Sequence, residues 1–483
     1  MLLTALQYDS LKTVLQYIEA NKRFCLFLRI PAIHFAEKAV PLKIDYLQFG
    51  DYGVTVNKTS YYLRVYRNFH QGEEIVDYFQ KENDEGGIRF DLDQYGFQLP
   101  TNMTDLVPGE VIFGDVRVAN HNFALMFSTE FPWSFQQDDQ KMKRYYEKHL
   151  EIYKIALERR LDRGEPGNLG CPSFPFPVMF PVFTEDELLA MSGSVLQELT
   201  AEERESKLVF LSRVPTWILE KAISRLSYCF QPFDCRHNNR PLPFTPLIQL
   251  IIKKEGQEKR IERYAYTMKL HEAVRKLNGL IFGGRKAVVQ AHTFPFIAES
   301  VALRIPQGLK IRVRELRFKG NMNGRFEALN NLIDESSYPL ESLSILHQEE
   351  DIDYFAHPAL TSAQRIYLVG AAPLDIDLLL NLSNKIVHFK YIWSPDFSTE
   401  ELMTFARKII TAGSPVGVQR TFRMSHEDSI DNILNRVGIR TNRSASILMG
   451  NDSKLTISYN SAEFCKEDSS QRKKIYVRKF EIV

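Results

Sequence analysis

Arg312-Val313-Arg314-Glu315-Leu316-Arg317-Phe318-Lys319 alternates apolar residues with charge. That two-residue period belongs to a strand with one face in a core and one in water. Similar segments follow, centred on Leu343/Ile345, Ile366/Leu368 and Val387/Phe389, at steps of 27, 23 and 21 residues from Leu316 onward. Turn or helical stretches lie between them, such as Phe326-Glu327-Ala328-Leu329-Asn330-Asn331-Leu332-Ile333. One strand and one short helix every ~20–29 residues is the period of leucine-rich repeats. The strict signature, with Asn or Cys after the leucines, is missing. Residues 311–483 therefore read as an irregular, leucine-rich-repeat-like α/β domain. The competing reading is an ordinary α/β domain with short crossovers.

Working toward the N-terminus, 185–310 reads as an α/β domain. It is mostly helical to residue 231, then has an apolar strand, Leu247-Ile248-Gln249-Leu250-Ile251-Ile252, and a helix near 266–282 closed by Gly283-Gly284. The stretch 162–184 is a linker, because Pro and Gly recur through it too often for a regular element; Phe174, Phe176, Phe180 and Phe183 are interleaved with them. Residues 42–161 read as a β-rich domain with a closing long helix. Its strands are expected near 42–49, 54–56, 61–66, 88–92, 111–118 and 123–127, forming a small antiparallel sheet, and Asn57-Lys58-Thr59-Ser60 marks a turn. The helix near 135–161 carries the stripe Met142, Tyr146, Leu150, Tyr153, Leu157. The stripe is too short for a sustained coiled coil, so packing on its own domain is expected.

Residues 1–41 hold three short helical segments. Leu11, Val14, Leu15 and Ile18 recur at i, i+3, i+4, i+7, and Asp9 is placed to cap that helix. A second helix, with Asn21 as its expected cap, carries Phe24 and Phe27 and must end before Pro31. Helices this short bury little alone and need a neighbouring domain or a partner to cover their apolar faces.

The fold class is thus α+β and multidomain. With 44% hydrophobic and 25% charged residues, the chain has material for a sizeable core. A formal net charge of +1 removes any whole-chain attraction to nucleic acid or anionic membrane. The local basic stretches at 312–319 and at 472–479 read as solvated strand faces. No run of ~18 apolar residues predicts a membrane helix. The cysteines, Cys25, Cys171, Cys229, Cys235 and Cys465, are odd in number and lack framework spacing. Together with the absence of a signal-like N-terminus, this gives the expectation of an intracellular protein of the cytoplasm or nucleus with reduced thiols.

Chemistry is sparse. The chain has no phosphate-binding loop, no dinucleotide fingerprint and no nucleophile elbow. His271-Glu272 begins like a zinc-helix motif, but position 275 is Arg, so the second ligand is missing. Cys229, Cys235 and His237 cluster without a standard metal spacing and without a second pair nearby. No metal, cofactor or catalytic residue is assigned. A Cys–His pair meeting only in space leaves a divergent enzyme with a dispersed site as an alternative.

The chain also resembles a large nematode-expanded family of F-box-like proteins described as a domain of unknown function. Three stretches carry the resemblance. The first is 11–23, with Leu28-Arg29-Ile30-Pro31 and Pro41-Leu42. The second is Asn57-Lys58-Thr59-Ser60-Tyr61. The third joins Pro243-Phe244, Gln249-Leu250-Ile251-Ile252, Leu270-His271-Glu272-Ala273 and Leu280-Ile281-Phe282-Gly283-Gly284-Arg285. Residues 334–340 extend it. The resemblance implies that 1–41 is an F-box-like segment docking on a Skp1-type adaptor of cullin-type ubiquitin ligases. Leu11, Val14, Leu15, Ile18, Phe24 and Phe27 would then supply both its internal core and its docking surface. The expected function is a protein-interaction module, with other proteins as partners and a substrate receptor as its specific form. The alternative is a structural or interaction protein with no adaptor binding. The oligomeric state is not legible.

Overall fold

A computed structural model describes residues 8–73, 75–99, 106–112, 139–162, 200–212, 214–297, 302–319, 325–347, 355–370, 376–391, 399–413, 415–424, 439–440, 444–449, 453–461 and 476–483. The fold is α+β, with helices at the N-terminus and a large mixed sheet. In chain order its helices are α1 (Tyr8–Tyr17), α2 (Ala20–Arg29), α3 (His34–Ala39), α4 (Asp77–Asp84), α5 (Asp139–Asp162), α6 (Ala201–Leu211), α7 (Thr216–His237), α8 (Leu270–Phe282), α9 (Arg325–Leu329), α10 (Pro358–Thr361), α11 (Ile376–Asn381) and α12 (Thr399–Ala412). Its strands are β1 (Lys43–Gly50), β2 (Gly53–Val56), β3 (Thr59–Phe69), β4 (Val111–Ile112), β5 (Phe244–Lys254), β6 (Arg260–Ala265), β7 (Val289–Ile297), β8 (Ala302–Leu303), β9 (Ile311–Lys319), β10 (Ser342–His347), β11 (Arg365–Gly370), β12 (Ile386–Tyr391), β13 (Gln419–Met424), β14 (Ile439–Arg440), β15 (Ser444–Leu448), β16 (Lys454–Ser461) and β17 (Tyr476–Ile482).

The chain divides into two compact units. Unit 1 takes Met1–Ser60, Leu106–Gly114 and Arg275–Val483, and unit 2 takes Tyr61–Asp105 and Asp115–Val274.

In unit 1 the strand order is β14-β15-β16-β17-β13-β12-β11-β10-β9-β7-β1-β2. From β1 through β7 and β9 to β13 every neighbouring pair is parallel. β17, β16, β15 and β14 then add on antiparallel, and β1–β2 is an antiparallel hairpin. The small antiparallel sheet expected over 42–130 is thus corrected: β1 pairs in parallel with a strand starting at Val289. Local periodicity finds β1 but carries no signal for so distant a neighbour. The turn read at Asn57-Lys58 leads from β2 into β3, with Asn57 at φ 54°, in the left-handed region that Asn tolerates. Its side-chain oxygen accepts from the backbone N–H groups of Asp45 (2.8 Å) and Tyr46 (3.2 Å).

The strands read from the alternating segments are β9 to β12. Leu316, Leu343, Ile366 and Val387 stand in one register row; Ile345, Leu368, Phe389 and Phe422 stand in another. All are buried, and helices cover them. Phe326 of α9 packs on Phe318 of β9 at 4.7 Å, and Phe405 of α12 on Phe422 of β13 at 5.1 Å. Successive turns of this path are fastened by polar side chains. Asn384 donates its amide to the carbonyls of Leu360 (2.7 Å) and Ala363 (2.8 Å). Arg420 takes the register position next to Val387 and donates to the carbonyls of Leu382 (2.7 Å) and Asn384 (2.9 Å). Burial pushes its guanidinium down to about 10.

Unit 2 packs α5, α6 and α7 together with α4 around Phe79, Met142, Tyr146, Tyr153, Leu219, Leu226 and Phe233. The stripe on α5 lies in this core, with Leu150 and Leu157 half-buried beside it. β3, β5 and β6 are sheet neighbours, β5–β6 antiparallel. The strand expected at 88–92 is reduced to isolated bridges, Val65–Ile88 and Leu92–Gln98. Gly86 and Gly87 turn the chain at φ 110° and 97°, and a Cβ on Gly87 would meet the Val65 carbonyl oxygen at 2.5 Å. The helix expected from 266 begins at Leu270. Asp91 accepts both the Tyr266 hydroxyl and the Leu270 N–H at 2.7 Å, which holds 266–269 off the helix. The strand expected at 123–127, the far part of 111–118 and the linker beyond Asp162 lie outside the described residues.

Candidate interaction surfaces

The N-terminal helices divide their apolar residues between an inside and an outside. Leu15 closes on Ala36 and Val40, with Leu11 and Ile18 half-buried against them. Phe24 stands edge-on to Phe27 (6.2 Å) and to Phe282 at the end of α8 (6.4 Å). Phe49 of β1 joins Phe282 at 5.2 Å. Of the docking candidates, Leu15, Phe24 and Phe27 are therefore core, and only Val14 is exposed. The helices leave other large apolar side chains outside: Tyr8, Tyr17, Leu28, Ile30 and Phe35, with Tyr17 at 86% and Phe35 at 82%. Sequence reading missed these. Tyr17 was findable, since it lies three residues from Val14 and shares its face of α1. Phe35 was not, because α3 is too short to show a period. α2 also has a different cap from the one expected. The Glu19 carboxylate accepts the Lys22 N–H at 3.2 Å, while Asn21 donates to Glu19 (2.8 Å) and to the Val56 carbonyl (3.0 Å).

A buried charge cluster fixes this segment within unit 1. The Glu37 carboxylate has no solvent exposure and accepts from Arg285 through both oxygens, at 2.8 and 3.0 Å. Arg23 reaches the same carboxylate at 3.0 Å and donates to the carbonyls of Pro41 and Val40. The Lys38 ammonium donates to the carbonyls of Leu280 (2.6 Å) and Ile281 (2.8 Å). Arg23, Lys38 and Arg285 thus surround one carboxylate, and the carbonyl-rich ends of α3 and α8 supply further negative charge. Burial lowers the pKa of all three cations, that of Lys38 to about 8. A second cluster in unit 1 holds Glu110 between Arg275 (2.7 Å) and Arg304 (2.8 Å). Burial alone would raise that carboxyl, but the hydrogen bonds from Arg275, Arg304 and the Val107 N–H outweigh it and leave it below its usual value.

The third feature is the outward face of β9–β13. Arg317, Ser344, Tyr367, His388 and Thr421 form one register row across five strands. Tyr367 and His388 stack at 4.5 Å with planes 17° apart. Burial, then the charge of Arg365, pushes His388 down to about 4. Along β9, Arg312 and Arg314 are exposed and Glu315 and Arg317 half-buried, while Val313, Leu316 and Phe318 are buried. Glu315 accepts from Thr293 and Arg317, both at 3.1 Å.

Among the described residues no group of His, Cys, Asp and Glu is arranged to hold a metal. Cys229 and Cys235 are buried in α7, and Cys235 Sγ points to the Pro241 carbonyl at 3.9 Å. No described helix is long and apolar enough to cross a membrane.

A domain of unknown function, DUF3557, covers residues 269–426, the stretch from α8 to β13. No curated protein and no solved structure matches the chain.

Proposed function

We propose that the chain is a protein-interaction module, its N-terminal helices F-box-like and docking on a Skp1-type adaptor, its leucine-rich-repeat-like strand face presented to a target. In this reading it is a substrate receptor for ubiquitin transfer. The observation that carries it is the outward half of the helical segment. Leu15, Phe24 and Phe27 complete an internal core, yet Val14, Tyr17, Leu28, Ile30 and Phe35 stay in water. Exposed large apolar side chains gathered on one short segment are the usual mark of a partner surface. The parallel path β9–β13, with a helix between successive strands, supports the repeat-like part.

A second reading, a structural protein that binds no adaptor, draws on the Arg23–Glu37–Arg285 cluster. It shows the segment to be an integral piece of unit 1 whether or not anything docks.

Pull-down of a purified Skp1-type adaptor by the full chain separates the two. Wild type should capture the adaptor and a Val14→Asp/Phe35→Asp variant should not, with an unchanged circular dichroism spectrum. No capture by wild type refutes the adaptor reading. Leu15→Asp is the wrong probe, because Leu15 is 1% exposed and its loss would break the helical core itself.

A further inference from the structure

We propose that the strand face of β9–β13 takes an extended, acidic segment of a partner protein; this rests on the reading above that this face meets a target. The charge of the face selects the occupant. Arg317 and Arg365 stand on it in register, and Arg312 and Arg314 are exposed further along β9; the acidic residues beside them are Glu315, 3.1 Å from Arg317, and Glu341, 3.4 Å from Arg314. A chain of net charge +1 has thus gathered an arginine excess on one side of one sheet. His388 adds no cation at neutral pH and holds the Tyr367 ring flat beside it.

A parallel sheet is ordinarily covered on both faces. Here the helix-covered side is closed, with Leu343, Ile345, Ile366, Leu368 and Val387 at 0%. The opposite side chains of Ser344, Tyr367, Val369 and His388 are half-buried, and Thr421 at the end of their row is buried. Open strand faces of repeat-like arrays are binding surfaces of this kind.

Spacing defines the segment further. Strands lie about 4.8 Å apart and residues on one face repeat every ~6.7 Å. Arg317 on β9 and Arg365 on β11 are two strands and one such repeat apart, roughly 12 Å. An extended peptide covers that distance in three to four residues at about 3.3 Å each, so carboxylates three or four positions apart would meet both guanidiniums. Ser344 on β10 stands between Arg317 and Tyr367, and the Tyr367 ring, next to Arg365 on the same face of β11, would receive an intervening side chain.

The test is fluorescence anisotropy of a labelled peptide of alternating Glu and Ser, long enough to cross four strands, titrated with the full chain at low salt and at about 0.15 M salt. A Lys–Ser peptide of equal length is the reference. Wild type should bind the acidic peptide and not the basic one, and Arg317→Glu/Arg365→Glu should weaken binding about tenfold or more. The milder Arg317→Gln/Arg365→Gln variant, which adds no repulsion to the fold, should weaken it several-fold. Lys253→Glu/Lys254→Glu, an equal charge change in unit 2, should leave it unaltered. Equal loss in the strand-face and unit 2 variants, or no binding at low salt, overturns the proposal. Adaptor capture through the N-terminal helices uses none of these arginines, so the two readings fail separately.

Discussion

Replacing Glu37 by Gln keeps the shape of the side chain and removes the one carboxylate shared by Arg23 and Arg285. The three side chains are 0%, 2% and 2% exposed, so no water replaces the lost charge. Removing one partner of a buried ion pair costs about 3–5 kcal/mol. Two guanidiniums are stranded here, which argues for the upper half of that range. The carbonyls of Val40, Pro41 and Ile281 still accept from them and keep the figure from rising further. Hydrogen exchange by mass spectrometry reads the effect locally in a chain of two units, where a single unfolding free energy is not defined. Amides of α3 and of the last turn of α8 should exchange about three to three and a half decades faster, since each ~1.4 kcal/mol is tenfold. Amides of α5 and α7 in unit 2 should hold their rates. A change below tenfold in α3 would show that helix-end carbonyls already neutralise the arginines, and the clamp reasoning would fail. Glu37→Leu/Arg285→Leu should recover part of the protection, because an apolar pair strands one cation fewer than the Glu37→Gln change.

Two other outcomes follow from the buried ionisable groups. Glu110 has a folded pKa below its usual value, so its stabilisation is complete above about pH 4.5 and fades as pH falls through the folded value. Glu110→Gln should cost about 3 kcal/mol, about a hundredfold faster exchange of the amides around Val107–Glu110 at neutral pH, and the ratio to wild type should close on acidification; a ratio independent of pH would contradict it. His388 behaves with the opposite chemistry and the same direction. Its pKa falls from 6.5 to about 4 on folding, so between those values the unfolded chain binds the proton first and stability drops as pH falls, by up to about 3 kcal/mol. His388→Gln should remove that slope, and a wild-type slope retained in the variant would assign it to other groups.

Strands β9 to β12 were legible because each has its own two-residue period, and the period survives in isolation. The same holds for α5, whose stripe already pointed to packing in its own domain. What sequence could not carry was adjacency. Nothing in Lys43–Gly50 announces that its neighbour begins at Val289, and nothing in Ala36-Glu37-Lys38 announces Arg285. Glu37 and Lys38 are charged residues on a short helix, yet both are buried. Partners this distant cancel a burial cost that local reading must assume is unpaid. Among the docking candidates, the period grouped Leu11, Val14, Leu15 and Ile18, of which Leu11, Leu15 and Ile18 meet in one cluster while Val14 is exposed. It could not tell inside from outside, since an apolar stripe is the same whether its cover is the chain itself or another molecule.

Unit 1 is assembled from segments on either side of unit 2. α1 to α3 leave the ribosome long before Leu280, Phe282 and Arg285, which receive Lys38, Phe24 and Glu37. At about 5–20 residues per second, that interval is roughly 12–50 s. Through it the nascent helices hold Phe24 and Phe27 uncovered and two cations, Arg23 and Lys38, with a single counter-ion. Synthesis of this chain therefore places α1 to α3 in the care of whatever shields apolar surface at the exit tunnel, until the partners they pack on arrive.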